Sequence, residues 1–122
     1  MHTELIIAVS NVRRSAEWYE QLLDCRGSHG GDTFEVLRNK EERVLLCLHH
    51  WGDHEHPTLS DRGIPAGNGI IIYFKVEDLD AVWRKAQALG AVVEEAPHLN
   101  PNSGLEEFSL RDPDGYYISV SS

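Results

Sequence analysis

Apolar residues in this chain alternate over a short run, then recur at helical spacing, and the whole pattern comes round twice. Residues 3–10 are expected to form a strand, with Leu5, Ile7 and Val9 on one face and Glu4, Ile6 and Ala8 on the other. Asn11 can cap a helix over residues 13–24, where Ala16, Tyr19, Leu22 and Leu23 share a stripe flanked by Trp18. Gly27, Gly30 and Gly31 break that helix. Phe34–Arg38 and residues 44–49 read as two antiparallel strands about the polar turn Asn39-Lys40-Glu41-Glu42. Residues 50–68, rich in His, Pro, Gly and Asp, are expected to be a long loop.

The pattern then restarts. Residues 70–76 read as a strand, Asp78 precedes a helix over residues 79–89, and Gly90 stops it. Residues 92–95 form a short strand and residues 97–104 a second polar loop. Glu106–Arg111 and residues 116–121 make a closing hairpin. Its turn is Asp112-Pro113-Asp114-Gly115, in which Pro113 fixes φ and Gly115 supplies a positive φ. In the last strand Ile118 and Val120 point to a core, while Tyr117, Ser119 and Ser121 point the other way.

Sliding the chain by 67 places Val9 on Val76, Asn11 on Asp78, and Leu22 on Leu89. A slide of about 73 places Arg38 on Arg111, Asn39 on Asp112 and Leu45 on Ile118. Halves of roughly 55 residues are too small to cover their own sheets well, so they should pair. The fold expected is α+β: two βαβββ modules, about 1–60 and about 68–122, pairing into curved mixed sheets around a central concavity, as one domain over 1–122.

Composition narrows the function. The 41% hydrophobic and 25% charged content suit a globular protein, and no run of about 18 apolar residues crosses a membrane. The N-terminus carries no signal-peptide pattern, and two cysteines imply no disulfide framework, so a cytoplasmic location is expected. A net charge of −9 without a basic stripe argues against nucleic acid.

Three segments carry a family likeness. They are Val9-Ser10-Asn11-Val12-Arg13-Arg14-Ser15 running into Trp18-Tyr19, then Val76-Glu77-Asp78-Leu79-Asp80-Ala81, then Arg111-Asp112-Pro113-Asp114-Gly115. With this order of elements the chain resembles the vicinal oxygen chelate superfamily, which includes glyoxalase I, extradiol dioxygenases and the fosfomycin and bleomycin resistance proteins. The resemblance implies a divalent ion held from the first, fourth, fifth and eighth strands. Carried over one at a time, those positions are Glu4, Leu46, Ile71 and Ser119. One carboxylate, two aliphatic side chains and a hydroxyl cannot hold such an ion, so no metal or other cofactor is expected.

The function expected is therefore metal-free binding of a small organic molecule, sequestering a cationic or aromatic compound as the resistance proteins of this family do. Strand parity lines the concavity with Glu4, Ile6, Leu46, Leu48, Ile71, Tyr73, Tyr117 and Ser119, and Trp51 overhangs it. By the same resemblance the chain forms a homodimer. The alternative is a metal-dependent lyase or dioxygenase with a rearranged ligand set, such as Glu4 with His49 or His50. A third possibility uses Glu4 as a general base, whereas a rim position or an internal ion pair would make that carboxylate ordinary. The stretch His49-His50-Trp51-Gly52-Asp53-His54-Glu55-His56 offers imidazoles but no rigid helical spacing. Cys25 and Cys47 read as small core residues, with Cys47 on the helix-facing side.

Overall fold

The computed structural model describes residues 1–122, the side chain of Glu55 excepted. The chain forms two compact units, Met1–Pro65 and Ala66–Ser122. In the first, β1 (Ile6–Val9) leads into α1 (Val12–Leu23), then β2 (Arg26–Gly27), β3 (Phe34–Arg38) and β4 (Val44–His50). In the second, β5 (Ile72–Lys75) leads into α2 (Leu79–Ala88), then β6 (Val92–Leu99), β7 (Glu106–Arg111) and β8 (Tyr117–Ser121). Each unit holds one four-stranded mixed sheet, ordered β1-β4-β3-β2 and β5-β8-β7-β6. The first and last strands of each unit pair in parallel and the other pairs are antiparallel. This is the expected α+β arrangement of two βαβββ modules. No helix of the described residues is long and apolar enough to cross a membrane.

Both helices start as the sequence suggests. Asn11 Oδ1 accepts from the Arg14 amide at 3.0 Å, and Asp78 Oδ1 accepts from the Ala81 amide at 3.0 Å. α1 buries Val12, Ala16, Tyr19 and Leu22, and α2 buries Leu79, Val82 and Ala86. Each large apolar side chain removed from water contributes about 1.5–3 kcal/mol.

The internal repeat extends to single hydrogen bonds. In the turn after β3, Asn39 Oδ1 accepts from the Glu41 and Arg43 amides. In the turn after β7, Asp112 Oδ1 accepts from the Asp114 and Tyr116 amides. Arg38 Nη1 donates to the Glu42 carbonyl, and Arg111 Nη1 donates to the Gly115 carbonyl. The left-handed position is Gly115 (φ 89°) in one turn and Glu42 (φ 65°) in the other. Asp112-Pro113-Asp114-Gly115 thus has its twin in Asn39-Lys40-Glu41-Glu42, where the slide of about 73 placed it.

Two expectations about strands change. β2 pairs with β3 through Arg26 and Gly27, where the glycine-rich sequence gave no strand signal. Its Gly27 has a packing reason, because a Cβ there would lie 2.7 Å from the Glu35 carboxyl carbon. β6 runs past Glu95 through Pro97 to Leu99 instead of ending in a loop. Proline's missing donor is tolerated because β6 is an edge strand, and the pairing with β7 shifts register between Glu95 and His98.

A register shift in the first unit decides which side chains share a face. Leu37 pairs with Leu46 but Arg38 pairs with Val44, so Leu45 is an extra residue on β4. β7 and β8 pair without interruption from Arg111–Tyr117 to Glu107–Ser121. Beyond the bulge, Ile7 pairs with Leu48, and Glu35 also pairs with Leu48. Glu35 is 1% exposed and its Oε2 accepts from Nη2 of Arg13, on α1, at 2.6 Å. Leu37, Leu46 and Leu48 are therefore the layer beneath α1. The opposite face carries Ile6, Val36, Cys47 and His49.

Candidate functional site

In the second unit the predicted parity holds. Ile72 pairs with Ile118 and Phe74 with Val120, on the face where Trp83 of α2 meets Phe108 at 5.1 Å between ring centroids. Tyr73 pairs with Ser119 on the other face. There Ser119 Oγ lies 3.2 Å from Ser109 Oγ, both buried, and the buried Glu107 accepts from Asn100 Nδ2. Ile71 (62% exposed) and Tyr73 (42% exposed) leave apolar surface in solvent. Ile71 and Tyr117 line a depression of about 510 Å³ with Arg111, Asn68 and Gly69. The Arg111 guanidinium stacks 4.9 Å over the Tyr117 ring, its Nε donates to Glu94, and the Tyr117 hydroxyl donates to Glu95. Arg111 was not among the expected site residues, although its place opposite Tyr117 across the hairpin pointed to it.

The first unit departs from expectation. Leu46 and Leu48, expected to line the binding surface, are fully buried in the layer beneath α1. Cys47 and His49 take their places beside Ile6, so Cys47 is a core residue on the face opposite to that expected. The slide of about 73 carries the second unit's faces across the bulge and so inverts them on β4. Ile6 is on the predicted face and 47% exposed. Glu4 precedes β1 with a half-exposed side chain, 3.4 Å from His2 Nε2. It lines a depression of about 440 Å³ with Arg38 and Arg43. Trp51 is half-buried and its backbone amide donates to the Val9 carbonyl.

The register also relocates the fourth-strand position that a metal-holding relative would use. Ile6 pairs with Cys47 as Tyr73 pairs with Ser119, so Cys47, not Leu46, matches Ser119. The four positions become Glu4, Cys47, Ile71 and Ser119. Only Glu4 and Cys47 among them could donate to an ion, and burial pushes the Cys47 thiol up from its ordinary pKa, with Glu4 adding to the rise. Ile71 offers no donor, and the Ser119 hydroxyl is engaged with Ser109. These residues do not fit a strand-borne divalent ion. Glu4 and His49 fall in different groups. Glu4 stands ahead of β1 beside Arg38 and Arg43, whereas His49 lies with His54 and His56.

Two four-stranded mixed sheets, each from a βαβββ module and each with one helix, define a class of duplicated α+β proteins. Within it, residues 2–120 match the Glyoxalase/Bleomycin resistance protein/Dioxygenase superfamily, and the chain belongs to that superfamily. Solved structures with the same fold include TioX from Micromonospora sp. ML1, 18% identical, TM-score 0.75, covering 99% of this chain and 97% of that one. A glyoxalase/bleomycin resistance protein/dioxygenase family enzyme from Burkholderia phytofirmans PsJN is 16% identical, TM-score 0.79, covering 97% and 94%. A possible glyoxalase from Bacillus cereus is 20% identical, TM-score 0.67, covering 98% and 96%. No curated protein matches the chain.

Proposed function

We propose that the protein binds a small aromatic molecule without a metal at the family's strand positions, and that it sequesters this molecule and does not transform it. The observation that carries the reading is the Arg111–Tyr117 stack beside the depression floored by Ile71. A flat apolar ligand gains most from such a surface, because an aromatic face and exposed isoleucine both lose water on contact. Arg111 is neutralised by Glu94, and the whole chain carries −9, so a cationic aromatic compound is favoured over an anionic one. A homodimer accompanies this reading. Val92, Val93 and Leu99 stand exposed on edge strand β6, a surface that a second copy would cover.

The test is a thermal-shift screen of cationic, neutral and anionic aromatic compounds, followed by calorimetry on Tyr117→Ala and Ile71→Ser. Loss of about tenfold in affinity in each variant is expected, from the contacts removed. Binding only of anions would overturn the charge preference, and unchanged affinity in both variants would overturn the site. Light scattering on the eluting protein checks the dimer.

The second reading, an enzyme with rearranged metal ligands, is favoured by one observation. His49, His54 and His56 bring three imidazoles together in the first unit.

A further inference from the structure

We infer that His49, His54 and His56 form a binding site for one borderline divalent ion, Zn²⁺ by its preference for imidazole, built outside the family's strand positions. The three residues each place a ring nitrogen within 4.8 Å of the others, and they are the one such group of His, Cys, Asp or Glu among the described residues. This inference does not depend on the small-molecule reading.

Local structure explains the convergence. His49 lies near the end of β4 on the face away from α1, and it is 4% exposed. Gly52 at φ 83° turns the chain, and the 3₁₀ turns Asp53–Glu55 and Pro57–Leu59 bring it back. The Gly52 amide donates to the Leu59 carbonyl at 2.7 Å, and the Leu59 amide donates to the His56 carbonyl at 3.0 Å. His50 Nδ1 and Asp53 Oδ2 lie 2.7 Å apart, a further tie across the bend. The first half of the loop expected over residues 50–68 is thus held by its own hydrogen bonds.

Three details favour an ion over a casual cluster. First, His49 Nδ1–H donates to the His50 carbonyl at 2.7 Å, which fixes the tautomer and leaves Nε2 with its lone pair. A metal-binding histidine characteristically has its other nitrogen held this way. Second, His49 Nε2 accepts a hydrogen bond from His54 Nδ1 at 3.3 Å, so an ion would take the place of the shared proton with little movement of either ring. Two nitrogens about 2.0–2.1 Å from one tetrahedral zinc would sit about 3.4 Å apart. Third, the three rings stand nearly perpendicular in pairs, at 82°, 81° and 79°, as ligands do when they approach one point from different directions.

The backbone adds a fourth. His54 holds φ at 60°, a left-handed conformation that costs a side-chain-bearing residue free energy, while its Nδ1 stays against the buried His49. Three imidazoles also leave a fourth position, which zinc sites with three protein ligands give to water or an oxygen donor.

Tag-free protein stripped with chelator is titrated with Zn²⁺ by calorimetry and with Co²⁺ by visible absorption. One ion per chain is expected, with the intense visible bands of low-coordinate cobalt. His54→Ala and His56→Ala, both at exposed positions, should each weaken binding by about tenfold or more, while His98→Ala on β6 leaves it unchanged. Circular dichroism confirms that the variants fold. Absence of binding to the wild-type chain overturns the inference. So does binding that survives both loop variants, because the ion would then sit elsewhere.

Discussion

At the scale of single residues, Glu35 is the most consequential buried charge. Burial would push its carboxyl up, but the His29 amide, the Arg13 guanidinium and the Val36 and Gly30 amides all donate to it and hold it at about 2. Its folded pKa is below the unfolded value near 4.5, so the stabilisation is fully present above that value. It is lost as pH falls from about 4.5 towards 2. The shift corresponds to about 3 kcal/mol. Urea denaturation of wild type and Glu35→Gln across that pH range should show the wild type losing stability on acidification with a steeper slope than the variant. Gly27→Ala should also destabilise, because the added Cβ displaces the same carboxylate. The two thiols should be slow nucleophiles. Burial and then Glu20 push Cys25 up to about 11, and Cys47 is raised as well, so alkylation by iodoacetamide at about pH 8 should be slow for both until the protein unfolds.

Elements show what sequence patterning can and cannot reveal. Both helices were legible from their caps and stripes, because Asn11 and Asp78 act through bonds three residues long and need no tertiary context. The closing turn was legible for the same reason. Asp112→Ala, which removes the acceptor for the Asp114 and Tyr116 amides, should cost about 2 kcal/mol by thermal or chemical denaturation. The face assignment on β8 was legible because its hairpin has no interruption, whereas that on β4 was not. Nothing in Val44-Leu45-Leu46-Cys47-Leu48 distinguishes a bulged leucine from a regular one, since both neighbours are equally apolar. Deleting Leu45 should therefore give a regular hairpin like that of β7 and β8, costing no more than about 2 kcal/mol for one half-buried side chain. Deleting Ile118, where no extra residue exists, should flip part of a buried strand and abolish cooperative unfolding. The His49–His56 site was missed for another reason. Its geometry depends on two left-handed residues and loop-spanning backbone bonds, which side-chain spacing alone does not encode.

At the scale of the whole molecule, the chain repeats its architecture and diverges in its chemistry. The two turns share their hydrogen bonds atom for atom, yet one unit presents Ile6, Cys47 and His49 where the other presents Tyr73, Ser119 and Ser121. Family membership accounts for the scaffold, and on a shared scaffold function is set by the side chains grafted onto it. The acidic balance of −9 belongs to this scale too. If it steers a cationic aromatic ligand, the association rate should fall as salt rises, and stopped-flow fluorescence can follow it through the chain's own tryptophans. The extra leucine in β4 carries one more implication, for ancestry. An insertion absorbed inside a strand keeps every later side chain pointing where its forebear pointed, while moving its place in the count by one. An alignment of the chain's two halves that confines gaps to loops will therefore pair Ser119 with Leu46, and the gap belongs at Leu45.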